Sequence, residues 1–99
     1  MSETVWFFSY KLVPGASVSD FLSASQKAHD EVISKQKGFI SWKVLLDGDT
    51  WVDSISWETA EDAKNAETAG ADEPAAHEFY SYIDMSTCIN SIYSAVKSY

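Results

Sequence analysis

The chain has 99 residues and a mass of 11.0 kDa, which is the size of a single domain. Its formal charge of −8 comes from 7 basic and 15 acidic residues and opposes binding to the phosphate backbone of nucleic acids. Apolar residues make up 45% of the chain, too many for a disordered protein, yet no apolar run reaches the roughly 20 residues that span a membrane. We therefore expect one domain over residues 1–99 that binds neither nucleic acid nor membrane.

The few cysteines and histidines indicate where the protein is located and whether it binds a structural metal. Cys88 is the single cysteine in the sequence, so no intrachain disulfide can form. This cysteine usage and the acidic N-terminus, followed by only a short apolar run, favour a cytoplasmic protein without a signal peptide. One cysteine and two histidines, far apart in sequence, are too few for a structural zinc site. We expect neither a metal nor a cofactor.

The first half of the sequence predicts a strand, a helix and a second strand. Residues 4–13 combine aromatic and β-branched side chains, and a Pro-Gly pair ends this strand. Helical spacing of apolar residues predicts a helix over 18–36, closed by Gly38 as a left-handed C-cap. The second strand is expected over 39–46, where an Asp-Gly pair indicates a hairpin turn.

The second half predicts a strand, a helix in two pieces and a final strand. The third strand is expected over 50–57, and a capping-box-like sequence then starts an alanine-rich helix that ends at Gly70. Pro74 opens a further helical stretch to about residue 82, and a long fourth strand is expected over 85–96. The order β-α-β-β-α-β predicts an α+β, ferredoxin-like fold, in which helices cover one face of a four-stranded antiparallel sheet.

Apolar side chains occupy both faces of the first two predicted strands. On the first strand they are Trp6, Phe8, Tyr10 and Leu12 on one face and Val5 and Phe7 on the other. On the second strand they are Ile40, Trp42, Val44 and Leu46 on one face and Phe39 and Leu45 on the other. A large apolar patch on a small protein usually marks an interface. We therefore expect a homodimer in which the uncovered faces of two sheets meet.

Several segments resemble the dimeric α+β barrel superfamily. They are Gly38–Leu45, Asp47-Gly48, Trp51–Asp53 and Ser56–Ala63, where the last contains the run Trp-Glu-Thr-Ala-Glu-Asp-Ala. This group includes the antibiotic biosynthesis monooxygenase-like proteins and the stress-responsive barrel proteins. The resemblance covers the whole chain and implies a homodimer with a pocket between helices and sheet. Members include cofactor-free monooxygenases of aromatic polyketides, haem-degrading enzymes, decarboxylating or dehalogenating enzymes and many proteins of unknown role, so the fold does not settle the activity.

The two histidines are the candidate catalytic residues. His29 lies on or beside the apolar face of the first predicted helix, where it could move a proton near neutral pH, or simply be a histidine at the core edge or in solvent. His77 resembles the iron ligand of the haem-degrading members. Those members also use an asparagine on the first strand and a tryptophan in the second helix, where this sequence has Ser9 and Ala66. His77 could equally be a surface residue of its helix.

Aromatic side chains could also line a pocket for a small, flat, apolar ligand. The candidate ligand-binding residues are Phe8, Trp42, Trp57 and Tyr80, although such rings could instead belong to the core or to the dimer interface. Asp53 shares a face of the third strand with apolar neighbours, so an inward carboxylate would need a partner. Lys43 or Lys11 could supply that partner across the sheet, unless the pair is exposed at the edge.

The sequence therefore predicts a cytoplasmic homodimer that resembles the monooxygenase-like barrel proteins. The function expected first is cofactor-independent oxidation of a small aromatic compound in a pocket between helices and sheet. One alternative is a non-catalytic homodimer that binds a small molecule or takes part in a stress response. A second alternative is a haem-binding or haem-degrading protein.

Overall fold

The computed structural model describes residues 3–99 of the chain. Strand β1 (Thr4–Leu12) leads to helix α1 (Val18–Glu31) and a short 3₁₀ helix (Ile33–Lys35). Strands β2 (Phe39–Asp47) and β3 (Thr50–Trp57) form a hairpin. Helices α2 (Ala60–Ala69) and α3 (Pro74–Ser81) follow, and strand β4 (Ile83–Ser94) comes last.

Within residues 3–99 the strands form one antiparallel sheet in the order β2-β3-β1-β4. The helices pack on one face of this sheet, and β1 and β3 occupy its centre. The predicted α+β, ferredoxin-like arrangement is confirmed, with α2 and α3 as the two pieces of the second helix. No helix among the described residues is long and apolar enough to cross a membrane.

Helix α1 is shorter than its apolar spacing predicts. It ends at Glu31 rather than near residue 36, because Val32 adopts φ −125° and ψ −68° and a 3₁₀ turn follows. The Val32 side chain is almost fully buried, so tertiary packing of this branched residue overrides continuation of the helix. Strand β4 is also displaced by two residues at each end, from 85–96 to 83–94, because Ile83 already pairs with Leu12 and is buried.

A register shift in β2 changes which of its residues share a face. Phe39 pairs with Trp57 while Ser41 pairs with Ser56, so Ile40 is an extra residue on β2. Phe39 therefore lies on the helix-covered face, where its ring packs 5.7 Å from that of Trp57. The prediction that Ile40 belongs to this face and Phe39 to the other was wrong, because strict alternation holds only along an uninterrupted ladder.

Two hydrophobic clusters fill the space between the sheet and the helices. The first contains Phe8, Tyr10, Phe21, Ala28, Trp51, Phe79 and Ile83. The second contains Trp6, Ile55, Trp57, Ala63 and Ala66, and the small alanines let α2 lie close to the two indoles. Trp42, from β2, packs against both clusters. The space beside Trp42, where the clusters meet, is the candidate functional site.

The opposite face of the sheet carries a mixture of apolar and small polar side chains. Phe7 and Tyr93 contact each other edge to face there, with their ring centroids 5.7 Å apart. Leu45 is 44% exposed, Ile89 is 64% exposed and Tyr93 is 57% exposed. Among residues 3–99 no helix packs over this face, as the sequence predicts for the uncovered side of the fold.

Candidate functional site

A narrow cavity lies between the helices and the sheet. Its walls are mainly apolar and aromatic, from Trp6, Phe8, Trp42, Phe79 and Tyr80, and Asp53 supplies a carboxyl group. The whole space between the walls, including its mouth, is about 380 Å³. The part open to the centre of a water molecule is only about 30 Å³, enough for about two waters. An aromatic ligand therefore requires the walls to move apart.

Asp53 is the buried ionisable group of this cavity. It lies on β3 and is 1% exposed, and its Oδ1 accepts a 2.8 Å hydrogen bond from the hydroxyl of Tyr10 on β1. Burial raises the pKa of Asp53 to about 7, against the lowering effect of the Tyr10 hydrogen bond. At neutral pH this carboxyl group is therefore present in both its protonated and its ionised form, which is the property of a general base.

The hairpin between β2 and β3 determines where Asp53 points. Asp47 pairs with Thr50 at the turn, and the same register brings Val44 opposite Asp53. Residues paired across a ladder share a face, so Lys43 points to the opposite face of the sheet and is exposed. Lys11 instead forms an exposed ion pair with Asp49, at 3.5 Å. Neither of the two lysines that the sequence offered as possible partners pairs with Asp53, and its partner is Tyr10.

The indole N–H of Trp42 is an unused hydrogen-bond donor beside the cavity. Its Nε1 atom is buried and has no hydrogen-bond partner within residues 3–99. The indole nevertheless lowers the pKa of Asp53, after the larger effect of Tyr10, although its nitrogen lies outside hydrogen-bonding geometry. Buried donors are nearly always paired in folded proteins, and the acceptor nearest in effect to this N–H is the Asp53 carboxyl group.

Tyr80, from α3, closes another side of the cavity. Its ring meets that of Phe8 edge to face at 6.2 Å. Burial raises the pKa of the Tyr80 phenol, and the nearby charges of Asp53 and Glu67 raise it further. Tyr80 is therefore a neutral hydroxyl at physiological pH, able to donate or accept a hydrogen bond but not to act as a phenolate.

Three of the four candidate ligand-binding residues line this one cavity. They are Phe8, Trp42 and Tyr80. Trp57 is fully buried in the second cluster, where it packs on Phe39, and it does not line the cavity. Its Nε1 atom is also without a hydrogen-bond partner in the described part of the chain.

His29 lies outside the cavity, on the other side of Trp42. It lines a separate, open groove with Ser25, Gln26, Trp42 and Val44. Its Nδ1 atom is 2.8 Å from Oδ1 of the exposed Asp30, and this hydrogen bond, followed by that of Gln26, lowers the pKa of Asp30. The imidazole ring is 6.4 Å from the ring of Trp42, which lines both the groove and the cavity. His29 therefore does not line the cavity that contains Asp53.

His77 is exposed on α3 and does not line the cavity. Its Nε2 atom donates a 2.6 Å hydrogen bond to the carbonyl oxygen of Ala71, in the loop between α2 and α3. That contact gives His77 a structural role in holding the loop. Because its Nε2 atom is engaged there and the side chain does not line the cavity, the position of His77 does not support the haem alternative. Among residues 3–99 no group of three or more His, Cys, Asp or Glu side chains is placed to hold a metal ion.

Asp53 is the chemical centre of the cavity, and Tyr10 supports it by a hydrogen bond without lining the cavity itself. Neither was among the candidate site residues predicted from the sequence. Alternation along the third strand does place Asp53 among apolar neighbours, but it does not identify Tyr10 as the partner of the carboxyl group. Counting forward from the Asp-Gly turn places Asp53 on the same face as the buried Trp51 and Trp57 of β3. A carboxylate on an otherwise apolar, helix-covered face is unusual enough to mark a functional candidate.

The comparisons with known proteins identify the fold. No protein-family model matches the sequence, and a comparison with curated proteins found no match either. Among solved structures, the chain is similar to SnoaB, a cofactor-independent oxygenase from Streptomyces nogalater, with 15% identity, a TM-score of 0.76 and coverage of 99% of this chain and 97% of that one. A proposed antibiotic biosynthesis monooxygenase from Bacillus cereus has 22% identity, a TM-score of 0.63 and coverage of 100% and 96%.

A third similar structure is a proposed antibiotic biosynthesis monooxygenase from Nitrosomonas europaea. It has 12% identity and a TM-score of 0.71, with coverage of 95% of this chain and 90% of that one. At such low identity these likenesses concern the fold and not the activity. The chain therefore has the fold of the antibiotic biosynthesis monooxygenase-like proteins, in agreement with its resemblance to the dimeric α+β barrel superfamily.

Proposed function

We propose that this protein is an oxygenase that oxidises a small aromatic compound in the cavity between helices and sheet, without a metal or organic cofactor. The observation that carries the proposal is Asp53, a buried carboxyl group with a pKa of about 7 in a cavity with aromatic walls. The likeness in fold to a cofactor-independent oxygenase supports it.

The proposed reaction begins with a proton transfer. The Asp53 carboxylate removes a proton from an acidic CH₂ group of the substrate, and the resulting carbanion is electron-rich enough to reduce dioxygen. One oxygen atom forms a C=O bond at that carbon. The other leaves as water with the two hydrogen atoms of the CH₂ group, one of which returns from Asp53. Dioxygen is the only oxidant required, and the carboxyl group is regenerated as a carboxylate.

The rest of the cavity prepares Asp53 for this step. Tyr10 fixes the orientation of the carboxylate through its 2.8 Å hydrogen bond. The surrounding rings keep water from the carbanion, which would otherwise be reprotonated. Because the space open to water is only about 30 Å³, the substrate enters by displacing wall side chains. Trp42 is the natural candidate, since it is half-buried and lines both the cavity and the outer groove.

A catalytic part for His29 or His77 remains a prediction from the sequence. In the scheme proposed here Asp53 is the base, and His29 lies behind Trp42 in the outer groove. His77 contacts the Ala71 carbonyl instead of the cavity. Variants of both histidines therefore belong in the activity test. A loss of turnover comparable to that of an Asp53 variant would support a catalytic role for the histidine concerned.

We also propose that two copies of the chain pair through the uncovered sheet face in the cytoplasm. Exposed Leu45, Ile89 and Tyr93 favour pairing, because burying them would remove a substantial apolar area from water. Serines at several positions of the same face, including Ser54 and Ser56, let two sheets approach closely. The unpaired Cys88 is compatible with a reducing cytoplasm.

The experiment is oxygen uptake with anthrone in air-saturated buffer, with anthraquinone formation followed by absorbance. We expect turnover by the wild type and a loss of about 100-fold or more in Asp53→Asn, the low end of what a positioned base contributes. Asp30→Asn is the matched control, because Asp30 is exposed and outside the cavity, and its rate should not change. A wild-type rate in Asp53→Asn would contradict the assignment of the base. Binding of anthrone without oxygen uptake would favour the non-catalytic alternative.

A further inference from the structure

Two tryptophans border the cavity, and the first of them, Trp6, is firmly held. It lies on the central strand β1, where it pairs with Ile55 on one side and with Ile92 on the other, and it is 5% exposed. Its indole N–H donates a hydrogen bond to the side-chain oxygen of Asn90. Because its backbone and its indole nitrogen are both paired, Trp6 is a fixed wall of the cavity.

Trp42, the second of these tryptophans, is held less firmly. It lies on β2, an edge strand, so within residues 3–99 only β3 pairs with its backbone. The register of β2 also shifts just before it, between Phe39 and Ser41. Its side chain is half-buried, and its Nε1 atom has no partner within hydrogen-bonding geometry among the described residues. Trp42 is therefore the wall with the greater freedom to move.

Trp42 borders two spaces of different size. On its outer side lies the groove that His29 also lines, where about 240 Å³ is open to the centre of a water molecule. On its inner side lies the cavity, where the corresponding volume is about 30 Å³. Trp42 is thus a wall that the roomy outer groove and the closed cavity share.

The Asp53 carboxyl group is placed to hold the Trp42 indole. Trp42 pairs with Ile55 and Asp53 pairs with Val44, so the two are diagonal neighbours on the helix-covered face. The indole is close enough to lower the pKa of Asp53, as a hydrogen-bond donor does. A hydrogen bond to an ionised acceptor is about twice as strong as one to a neutral acceptor. The ionised carboxylate therefore attracts the indole N–H more strongly than the protonated carboxyl group does.

The ionisable groups packed around Asp53 in residues 3–99 are two hydroxyls and a thiol. Burial raises the pKa of Tyr10 on β1 and that of Tyr80 on α3, and it also raises the pKa of the Cys88 thiol on β4. All three groups therefore stay uncharged at neutral pH. The charge of Glu67, on α2, acts on Tyr80 from outside the cavity. Asp53 is thus the group within the cavity whose charge changes near neutral pH.

We infer that the outer groove is the entrance to the cavity and that Trp42 is its gate, which the ionised Asp53 carboxylate holds shut and protonation of Asp53 releases. A ligand then enters the protonated form, and loss of the Asp53 proton to solvent closes the indole against the carboxylate. The closed form is the one in which Asp53 is a base, so a substrate is deprotonated behind a closed wall. That last step rests on the proposed function, whereas the gate can be measured without a substrate.

The test is the exposure of the Trp42 indole to a neutral nitroxide, read from the broadening of its ¹H–¹⁵N signal. The chain has four tryptophans, and Trp42→Phe and Trp6→Phe identify the two signals that matter. We expect the Trp42 signal to broaden about 10-fold more at about pH 5 than at about pH 8, since a charge-assisted hydrogen bond is lost. The midpoint of the change should lie at about pH 7. The Trp6 signal of the same sample should not change with pH, because Asn90 holds that indole throughout.

Two variants identify the group that controls the gate. Asp53→Asn carries no charge, so its Trp42 signal should be broadened at both pH values as much as in the wild type at about pH 5. His29→Gln is the matched control, because His29 lines the groove and an imidazole also gains charge near neutral pH. This variant should keep the wild-type pH dependence.

The outcomes separate the gate from the proposed function. Trp42 broadening that is constant with pH or rises with it would overturn the gate and leave the oxygenase proposal standing. A pH dependence that survives in Asp53→Asn, or that disappears in His29→Gln, would overturn the gate in the same way. The expected broadening without oxygen uptake from anthrone would support the gate and contradict only the oxygenase proposal.

Discussion

The hydroxyl of Tyr10 donates a 2.8 Å hydrogen bond to the carboxyl group of Asp53, joining the two central strands of the sheet beneath the helices. Both side chains are 1% exposed. Burial raises the pKa of Tyr10, and the neighbouring Asp53 charge raises it further, so the phenol keeps its proton and always donates. One strand thus orients the ionisable group of the other, which is how this fold can hold a base in an apolar cavity.

Tyr10→Phe removes the donor but keeps the ring. We expect a loss of about 1–3 kcal/mol in the free energy of unfolding above neutral pH, because a buried carboxylate then lacks its partner. The pKa of Asp53 should also rise above its wild-type value, since the Tyr10 hydrogen bond lowers it. Urea denaturation measures the first effect. Tyr99→Phe, at a fully exposed position beyond β4, is the control and should be nearly neutral. Equal stabilities of the wild type and both variants would contradict a stabilising Tyr10–Asp53 hydrogen bond.

The titration of Asp53 should appear in the stability of the whole protein. Its pKa is about 7 when folded and near the ordinary value of 3.8 when unfolded, so the unfolded chain releases this proton first. The free energy of unfolding therefore falls as the pH rises through this interval and levels off above about 7. The shift corresponds to about 4 kcal/mol.

Asp53→Asn removes this titrating group. The difference in stability between the variant and the wild type therefore reports on Asp53 alone and not on the other carboxylates. We expect the stability of the variant, relative to the wild type, to increase by about 4 kcal/mol between about pH 4 and about pH 8. Urea denaturation of both proteins across that interval measures the difference. A difference that stays constant with pH would show that Asp53 titrates normally in the folded protein.

Gly38 is required both by its backbone angle and by its surroundings. Its φ is +82°, and a Cβ atom there would collide with the carboxylate of Asp62 on α2. We expect Gly38→Ala to cost about 1–2 kcal/mol for the left-handed conformation and about 1–3 kcal/mol more for the collision. Gly48→Ala, with φ +63° and open space around it, should show the first cost only. Thermal unfolding compares the stability losses of the two variants. Equal losses would mean that a Cβ atom at Gly38 does not collide with Asp62.

A charge on the uncovered sheet face should separate the proposed dimer. Light scattering of the wild type at micromolar concentration should give about twice the 11.0 kDa of one chain. Ile89→Glu should give a single-chain mass, because a carboxylate would be buried without a partner. Val96→Glu makes the same change at a residue that is 94% exposed beyond β4 and should remain dimeric. A single-chain mass for the wild type would exclude the dimer.

The sequence contained most of the fold, because the fold depends on local patterns. Alternation along β1 predicts the buried Trp6, Phe8 and Tyr10, and the Asp-Gly turn defines the β2–β3 hairpin. The extra residue at Ile40 has no signal in an apolar strand, so the faces of Phe39 and Ile40 were interchanged. The end of α1 at Glu31 likewise depends on burial of Val32, which is decided by packing against the rest of the domain.

The candidate site was harder to predict, because it depends on contacts between distant residues. The sequence directed attention to His29 and His77, since imidazoles titrate near neutral pH without help. Asp53 reaches that range only because the helices bury it, and its partner is 43 positions away on another strand. No spacing rule links Tyr10 to Asp53, whereas the register of β1 against β3 makes them diagonal neighbours, because Phe8 pairs with Asp53 and Tyr10 pairs with Trp51.

The most direct test of the central claim is the titration of Asp53 itself, followed through the chemical shift of its carboxyl carbon in ¹³C-labelled protein. Asp53→Asn identifies the signal. We predict a midpoint at about pH 7, as expected for a carboxyl group buried in the cavity. A midpoint near 3.8 would mean a solvated carboxylate, with no base in the cavity at neutral pH, and would contradict the proposed chemistry.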